Sequence, residues 1–362
     1  MIARMILSAA LLALAPLAHA EDWSSRATER DVTLKDFAFA DGERMAAVRM
    51  HVTTLGTPHR DAKGKIDNAV MVLHGTGGDG HQFYRPQFAD ELYAPGQPLD
   101  IATHYVILPD NLGHGKSSKP SDGLRMAFPK YDYADMVTAE RRMLVEGLGV
   151  THLQLILGTS MGCMQAFTWG EMYHGFAGRL APFACNAVEL AGRNRMWRRM
   201  SIEAIEADPV WDHGNYTKQP VQGLRTARFL TTIVGINPVA LQAEAPTRAQ
   251  ADALVLASEQ RAATQGEPDA NDQIYQLEAS RTYSPAPGLE KITVPVLWIN
   301  SADDFINPPE LGLAQVMVQR MPRARFILIP ASKETHGHGT HTWAKFWKTD
   351  LARLMATPEA QQ

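Results

Sequence analysis

LILGTSMGCMQAFTW, residues 155–169, decides how the rest of this 362-residue chain is read. The apolar run at 153–157 has the character of a parallel strand buried on both faces. Gly158-Thr159-Ser160-Met161-Gly162 then turns sharply into a helix-forming run at 163–171, so the order is strand, G-x-S-x-G, helix. Glycines allow a turn too tight for side chains, and such a turn lifts the Ser160 hydroxyl above the strand ends with the next amide, on Met161, facing the same space. Ser160 is the candidate nucleophile, and the Met161 amide is a candidate oxyanion donor.

An ordinary turn carrying a solvated serine would show the same five letters, so the flanks have to supply the context. Upstream, the apolar run at 69–73 reads as a second central strand, and it ends in His74-Gly75-Thr76-Gly77-Gly78-Asp79-Gly80. Gly75, Gly77 and Gly80 fit the G-x-G-x-x-G dinucleotide fingerprint. Residues 81–88 contain Pro86 and make a poor crossover helix, however, and the acidic residue expected about twenty positions on has no clear strand to sit on. The run is better read as a loop whose small residues let the backbone approach a substrate oxygen, with the Thr76 amide joining that of Met161. No cofactor is expected.

Downstream, residues 291–300 return to strand and lead into Asp303-Asp304. A carboxylate in the loop after a parallel strand lies on the same sheet edge as the nucleophile, so Asp304 or Asp303 is the candidate acid. A strand at 325–329 then leads into His336-Gly337-His338-Gly339-Thr340-His341, where the general base belongs. Histidines spaced by two and then three, with no cysteine nearby, are not a usual zinc set, and no metal is expected.

The remaining segments fit an α/β architecture. Residues 31–40 and 44–54 form an antiparallel lead-in joined at Asp41-Gly42, and 105–108 is a further strand whose exit loop contains His114, read as a loop histidine. Residues 132–148 read as an amphipathic helix stopped by Gly149, 178–190 carry another strand, 310–321 a helix, and a last helix runs to about residue 354. From 194 to 285 there is no clean buried strand, and charged, alanine and tryptophan residues at helical spacing read as an inserted helical lid over the strand tops. The expected division is a leader at 1–20, a first part of the core at 21–192, the lid at 193–286 and a second part of the core at 287–362.

Hydrophobic content of 45%, charged content of 20% and a formal charge of −4 describe a globular protein with no broad basic surface. Nucleic acid and anionic membranes are therefore poor partners, and a small-molecule substrate fits better. Arg4, the apolar run 5–17 and Ala18-His19-Ala20 have the form of a secretory signal peptide cleaved after Ala20. The apolar run is shorter than the roughly 18 to 20 residues needed to span a bilayer, so the mature protein is expected to be periplasmic or secreted, without stable membrane association. Export permits the only two cysteines, Cys163 and Cys185, to pair if Cys185 ends the strand after the elbow helix; two buried free thiols is the reading taken.

With these parts located, the chain resembles the α/β-hydrolases: a mostly parallel central sheet flanked by helices, with an inserted helical lid. More narrowly, it resembles the homoserine O-acetyltransferase family. That likeness rests on Gly158 to Gln165, on Asp208-Pro209-Val210-Trp211 with Gly214-Asn215-Tyr216, on Pro220, Gly223-Leu224 and Ala227-Arg228, and on Asp304 four residues before Pro308. The resemblance covers roughly residues 65–350 and implies a triad of Ser160, Asp304 and His338 acting by acyl transfer, Thr76 and Met161 as oxyanion donors, and Arg228 and Tyr216 as substrate-binding residues. It also implies a homodimer through the lid. The chain departs from the family in carrying Gly339 where the transferases have an aspartate for the homoserine amino group, and its HGTGG loop is closer to that of esterases. Acetyl-CoA is moreover a cytosolic donor. The expectation is therefore an exported serine hydrolase of small carboxylic esters or related acyl compounds, with an O-acyltransferase as the alternative. A non-catalytic binding protein on the same scaffold is a third class, disfavoured by the apparently complete set of catalytic parts.

Overall fold

The structure is a computed structural model that describes residues 21–359. The leader expected at 1–20 lies outside the described residues. Eight strands form one sheet in the order β1-β2-β4-β3-β5-β6-β7-β8. β1 (Thr28–Ala38) and β2 (Arg44–Leu55) form the antiparallel lead-in, and β2 pairs antiparallel with β4 (Tyr105–Pro109). From β4 onward every pairing is parallel, through β3 (Ala69–Leu73), β5 (Leu155–Thr159), β6 (Leu180–Phe183), β7 (Val296–Ser301) and β8 (Ala324–Ile329). All residues of β3 to β7 are buried, as strands covered by helices on both faces require.

α1 (Pro86–Leu92) and α10 (Lys348–Ala356) cover one face, over a cluster that includes Val72, Leu157, Phe183 and Trp347. α2 (Tyr133–Arg142), α3 (Met161–Met172) and α9 (Leu313–Met317) cover the other, over Met71, Ile156, Phe167 and Trp298. α2 starts in a capping box between Asp132 and Asp135, and its continuation, the wider-pitched turn Met143–Leu148, stops at Gly149 in the left-handed region.

Between β6 and β7 the chain leaves the sheet for five helices, with no strand among the described residues there. They are α4 (Gly192–Glu206), α5 (Val221–Gly235), α6 (Pro238–Glu244), α7 (Arg248–Gln265) and α8 (Ala270–Glu278). α4, α5 and α8 enclose an apolar cluster of their own, built on Trp197, Ile205, Trp211, Leu224 and Leu277.

Several local expectations need correction. Pro86 does not forbid a helix; it occupies the first turn of α1, where its missing N–H costs nothing. The strand expected at 291–300 begins only at Val296, after Pro295, which has no N–H to give the ladder. The helix expected at 310–321 is divided, because Gly312 takes φ 64° between the turn Pro309–Leu311 and α9. The two cysteines are not free thiols. Cys163 in the first turn of α3 and Cys185 just beyond β6 are joined in a disulfide. Ser160 N–H donates to the Phe183 carbonyl at 2.8 Å, which draws the start of α3 and the end of β6 together and brings the sulfurs within bonding reach.

Candidate active site

β3 lies between β4 and β5, so consecutive connections leave in opposite directions and the carboxyl ends of β3 and β5 form the topological switch point at which open α/β sheets bind ligands. The glycine loop follows β3 and the elbow follows β5.

At the elbow Ser160 adopts φ 54° and ψ −108°, a conformation costly for a residue with a side chain. Both glycines of the pentapeptide are required sterically. A Cβ on Gly158 would sit 1.9 Å from the Gly162 carbonyl oxygen, and one on Gly162 would sit 2.2 Å from the Leu73 carbonyl oxygen. The turn is held open by two backbone bonds, Ser160 N–H to Phe183 and Gly162 N–H to the His74 carbonyl at 3.0 Å. The Ser160 side chain is left facing the His338 imidazole.

His338 reaches that side chain from the far end of the sheet. Its Nε2 is 2.8 Å from Ser160 Oγ, and its Nδ1 is 2.8 Å from Asp304 Oδ2. A carboxylate only accepts, so Nδ1 carries the proton and donates to Asp304, leaving Nε2 free to receive the Ser160 proton. Asp304 is 1% exposed. Its Oδ1 accepts from the Ile306 and Asn307 amides at 2.8 and 3.1 Å, and its Oδ2 from Asn307 Nδ2 at 3.0 Å. Burial pushes the Asp304 carboxyl up, but the His338 imidazole and the Asn307 donors outweigh it and hold the group below the usual carboxylate range.

The neighbouring candidates do other things. Asp303 accepts from the Gly337 amide at 3.0 Å and from the Ser301 hydroxyl, and so props the turn that carries His338. His336 stacks on Trp343, with ring centroids 4.0 Å apart. The His341 imidazole donates from Nδ1 to the His338 carbonyl. Burial, assisted by the adjacent His338, pushes the His341 imidazole down to about 3, so it stays neutral and buttresses His338.

The glycine loop passes directly over Ser160. A Cβ on Gly75 would lie 3.3 Å from Ser160 Cβ. Among the described residues neither the Thr76 amide nor the Met161 amide has an acceptor, while Gly78 N–H closes the turn onto the Gly75 carbonyl. Underneath, His74 is fully buried, and burial lowers its pKa, so the ring is neutral. Its Nδ1 donates to the Gly75 carbonyl at 2.8 Å, and its Nε2 accepts from the Asn111 amide at 3.0 Å. Sequence reasoning passed over His74 and Asn307. For Asn307 a signal existed, because Asp304 with amides two and three residues on is an Asx-type turn.

The two residues expected to meet substrate lie within the helical insertion. The Arg228 guanidinium is 3.2 Å from Glu267, 3.4 Å from Glu259 and 2.6 Å from Ser258 Oγ. The Tyr216 hydroxyl accepts from the Asn271 amide at 3.2 Å, and burial raises its pKa. Neither is among the groups that meet Ser160, His338 or Asp304.

The chain matches the family described as the alpha/beta hydrolase fold over residues 68–334. It is an α/β-hydrolase. This α/β-hydrolase is 28% identical over 296 residues to a probable acyltransferase of Methanothermobacter thermautotrophicus, covering 82% of this chain and 88% of that one. It is 35% identical over 207 residues to a homoserine O-acetyltransferase of Solidesulfovibrio magneticus, a match that spans only about half of each chain, 51% in both cases. In fold it is similar to the homoserine O-acetyltransferase of Bacillus anthracis, with a TM-score of 0.79 at 21% identity over 93% of this chain and 99% of that one. It is also similar to an acetylester hydrolase of Corynebacterium glutamicum, with a TM-score of 0.77 at 19% identity over 91% and 96%. The protein is thus an enzyme of the hydrolase and acyltransferase class, resembling the homoserine O-acetyltransferases.

Proposed function

We propose that the protein is an exported serine hydrolase that cleaves small carboxylic esters or related acyl compounds through an acyl-Ser160 intermediate. The relay from Asp304 through His338 to Ser160, with 2.8 Å at both contacts, carries this reading. Ser160 Oγ attacks the acyl carbon while its proton passes to His338 Nε2, and the Nδ1–H bond to Asp304 stabilises the imidazolium that forms. The Thr76 and Met161 amides, which have no acceptor among the described residues, hold the tetrahedral oxyanion; removing one such donor typically costs about 10² to 10³ in turnover. His338 returns the proton to the leaving alcohol, and a water deprotonated by His338 then releases the acid.

Water as acceptor is supported by what the acceptor side lacks. Glu259 and Glu267 already neutralise Arg228, and Gly339 offers no carboxylate for an amino group. Location outside the cytosol, where acetyl-CoA is absent, is supported by the Cys163–Cys185 disulfide, since cytosolic thiols are kept reduced. The second reading is acyl transfer to homoserine or a similar hydroxyl acceptor, favoured by the 35% identity to a homoserine O-acetyltransferase.

Turnover of p-nitrophenyl acetate with and without L-homoserine, with Ser160→Ala as the blank, separates the two. Steady release indifferent to homoserine is the expected result. Acceleration by homoserine with O-acetylhomoserine as product would establish the transferase instead, and no release above the blank would leave a bulkier acyl group or a non-catalytic scaffold.

A further inference from the structure

His338 sits on a turn whose placement is not set by the sheet alone. On one side Asp303 holds the turn through the Gly337 amide. On the other side the turn is gripped by the corner between α5 and α6, within the helical insertion. Asn237, at that corner, is 3% exposed. Its Nδ2 donates to the Ser332 carbonyl at 3.1 Å, to the Thr335 carbonyl at 2.8 Å and toward Thr335 Oγ1 at 3.3 Å. Its Oδ1 faces the other way and accepts from the Val239 and Ala240 amides at 2.8 and 3.1 Å, capping α6. One side chain therefore joins a helix start in the insertion to the segment that leads into His338.

The contact is close at the backbone as well. Gly337 takes φ 57°, and a Cβ there would lie 2.8 Å from both the Asn237 nitrogen and the Gly235 carbonyl oxygen, so the turn lies directly against the α5–α6 corner. Thr335 is fully buried, so the carbonyl that Asn237 satisfies has no ready access to water, whereas its hydroxyl is already paired within the turn, accepting from the Ser332 amide and donating to the Ser332 carbonyl, both at 2.9 Å. Nothing in the sheet replaces these bonds.

We propose that Asn237 is a positioning residue that makes the placement of His338 against Ser160 depend on the helical insertion. The inference rests on the reading of Ser160 and His338 as nucleophile and base. Its chemistry is simple: the Ser332 and Thr335 side chains close the turn 332–335 on itself, the Asn237 amide donates to that turn and ties it to the insertion, and His338 is three residues further on. A movement of the α5–α6 corner, whether caused by substrate or by mutation, is passed to the imidazole through these bonds.

Asn237→Asp isolates the clamp from the cap. Aspartate caps a helix as well as asparagine does, so α6 keeps its start, but a carboxylate has no proton to give the Thr335 and Ser332 carbonyls. The expected result is a melting temperature lowered by several degrees, because a buried carbonyl loses its donor and a carboxylate faces it, and, at 25 °C where the variant is still folded, an unchanged KM for p-nitrophenyl acetate with a kcat lowered about 10- to 100-fold, the range in which sub-ångström to ångström misplacement of a reacting group acts. Covalent labelling of Ser160 by a fluorophosphonate, which also requires the base, slows by the same factor. Gly337→Ala pushes the same contact apart from the other side, and the double variant is expected to be no worse than the poorer single one, because both break one interaction.

Wild-type kcat in Asn237→Asp, while Ser160→Ala and His338→Ala are silent, would overturn the inference and leave the site reading standing. Wild-type turnover in Ser160→Ala would remove both. If Asn237→Asp fails to fold, Gly337→Ala decides: a lowered kcat at unchanged KM supports the clamp, and an unchanged kcat overturns it.

Discussion

Replacing both Cys163 and Cys185 by alanine tests how the elbow is held. The bridge closes a loop with a sequence separation of 22 residues. Chain-entropy scaling for a loop of that length gives about 3 kcal/mol of stabilisation, exerted on the unfolded chain. By the scaling for domains of 150–250 residues that is a fall in melting temperature of roughly 6 to 12 °C, toward the low end for a longer chain. Activity is expected to change far less. The elbow keeps its bonds to Phe183 and His74, and the Cys185 carbonyl keeps the bonds it accepts from Trp298 Nε1 and Asn300 Nδ2, both at 3.0 Å. Scanning calorimetry of the double variant beside wild type, with p-nitrophenyl acetate turnover at 25 °C, separates the two effects. An unchanged melting temperature, together with two titratable thiols in the denatured wild-type protein, would refute the reasoning, because the bridge would then not exist in solution. Both cysteines are almost fully buried, so dithiothreitol is expected to leave the native enzyme's turnover unchanged until the chain unfolds.

Asp304→Asn is expected to cost turnover by several orders of magnitude, since the wrong tautomer of His338 would be favoured, whereas Asp303→Asn costs much less; steady-state kinetics on both decides which carboxylate orients the base. His338→Ala is expected to abolish turnover and His341→Ala only to weaken it, and the opposite ranking in the same assay would move the base to His341. Gly75→Ala puts a methyl 3.3 Å from Ser160 Cβ and is expected to lower kcat about 10-fold with little change in melting temperature, whereas Gly162→Ala meets the Leu73 backbone at 2.2 Å and destabilises by at least the ~1–3 kcal/mol of an overpacked core, read by urea unfolding. Burial pushes the Glu140 carboxyl up to about 8, and it is bonded to Trp169 Nε1. A raised carboxyl pKa means that the folded state holds the proton more tightly, so the Glu140 contribution is fully present below its unfolded value and is lost as pH rises toward 8. Glu140→Gln keeps an acceptor for Trp169 and is expected to flatten that fall in melting temperature between pH 5 and 8; an unchanged slope would count against it.

What could be read from the sequence is what short-range patterning encodes. The run into Gly158-Thr159-Ser160-Met161-Gly162 specifies a strand, a strained turn and a helix within a few residues, and the structure has them there. Asp132, Asp41-Gly42 and Gly149 likewise act on their immediate neighbours. Features that depend on residues meeting from far apart were not legible. Nothing near Cys163 announces that Cys185 ends 5.9 Å away at Cα, and nothing near Arg228 announces Glu259 and Glu267. The choice of His338 among three histidines came from resemblance, because the ring environments that distinguish them are set by Trp343, Asp304 and Ser160, none of which is readable from local spacing. Pro86 is ambiguous in sequence for a different reason: its effect reverses between the first turn and the interior of a helix, and only the true start of α1 tells which applies.

The helices between β6 and β7 leave and rejoin the sheet through strands that lie side by side, with Leu180 opposite Val296 and Phe183 opposite Ile299. Geometrically, that makes the segment exchangeable, since a different set of helices with ends equally close could be spliced in without disturbing a strand. On the positioning role proposed for it, Asn237 limits the exchange. A transplanted segment that lacked a donor at the same place would leave the sheet whole and the histidine turn unsupported, and the chimaera would be a stable protein with a poorly assembled centre. In this chain, exchange of the helices between β6 and β7 would therefore be constrained at a point remote from the splice junctions.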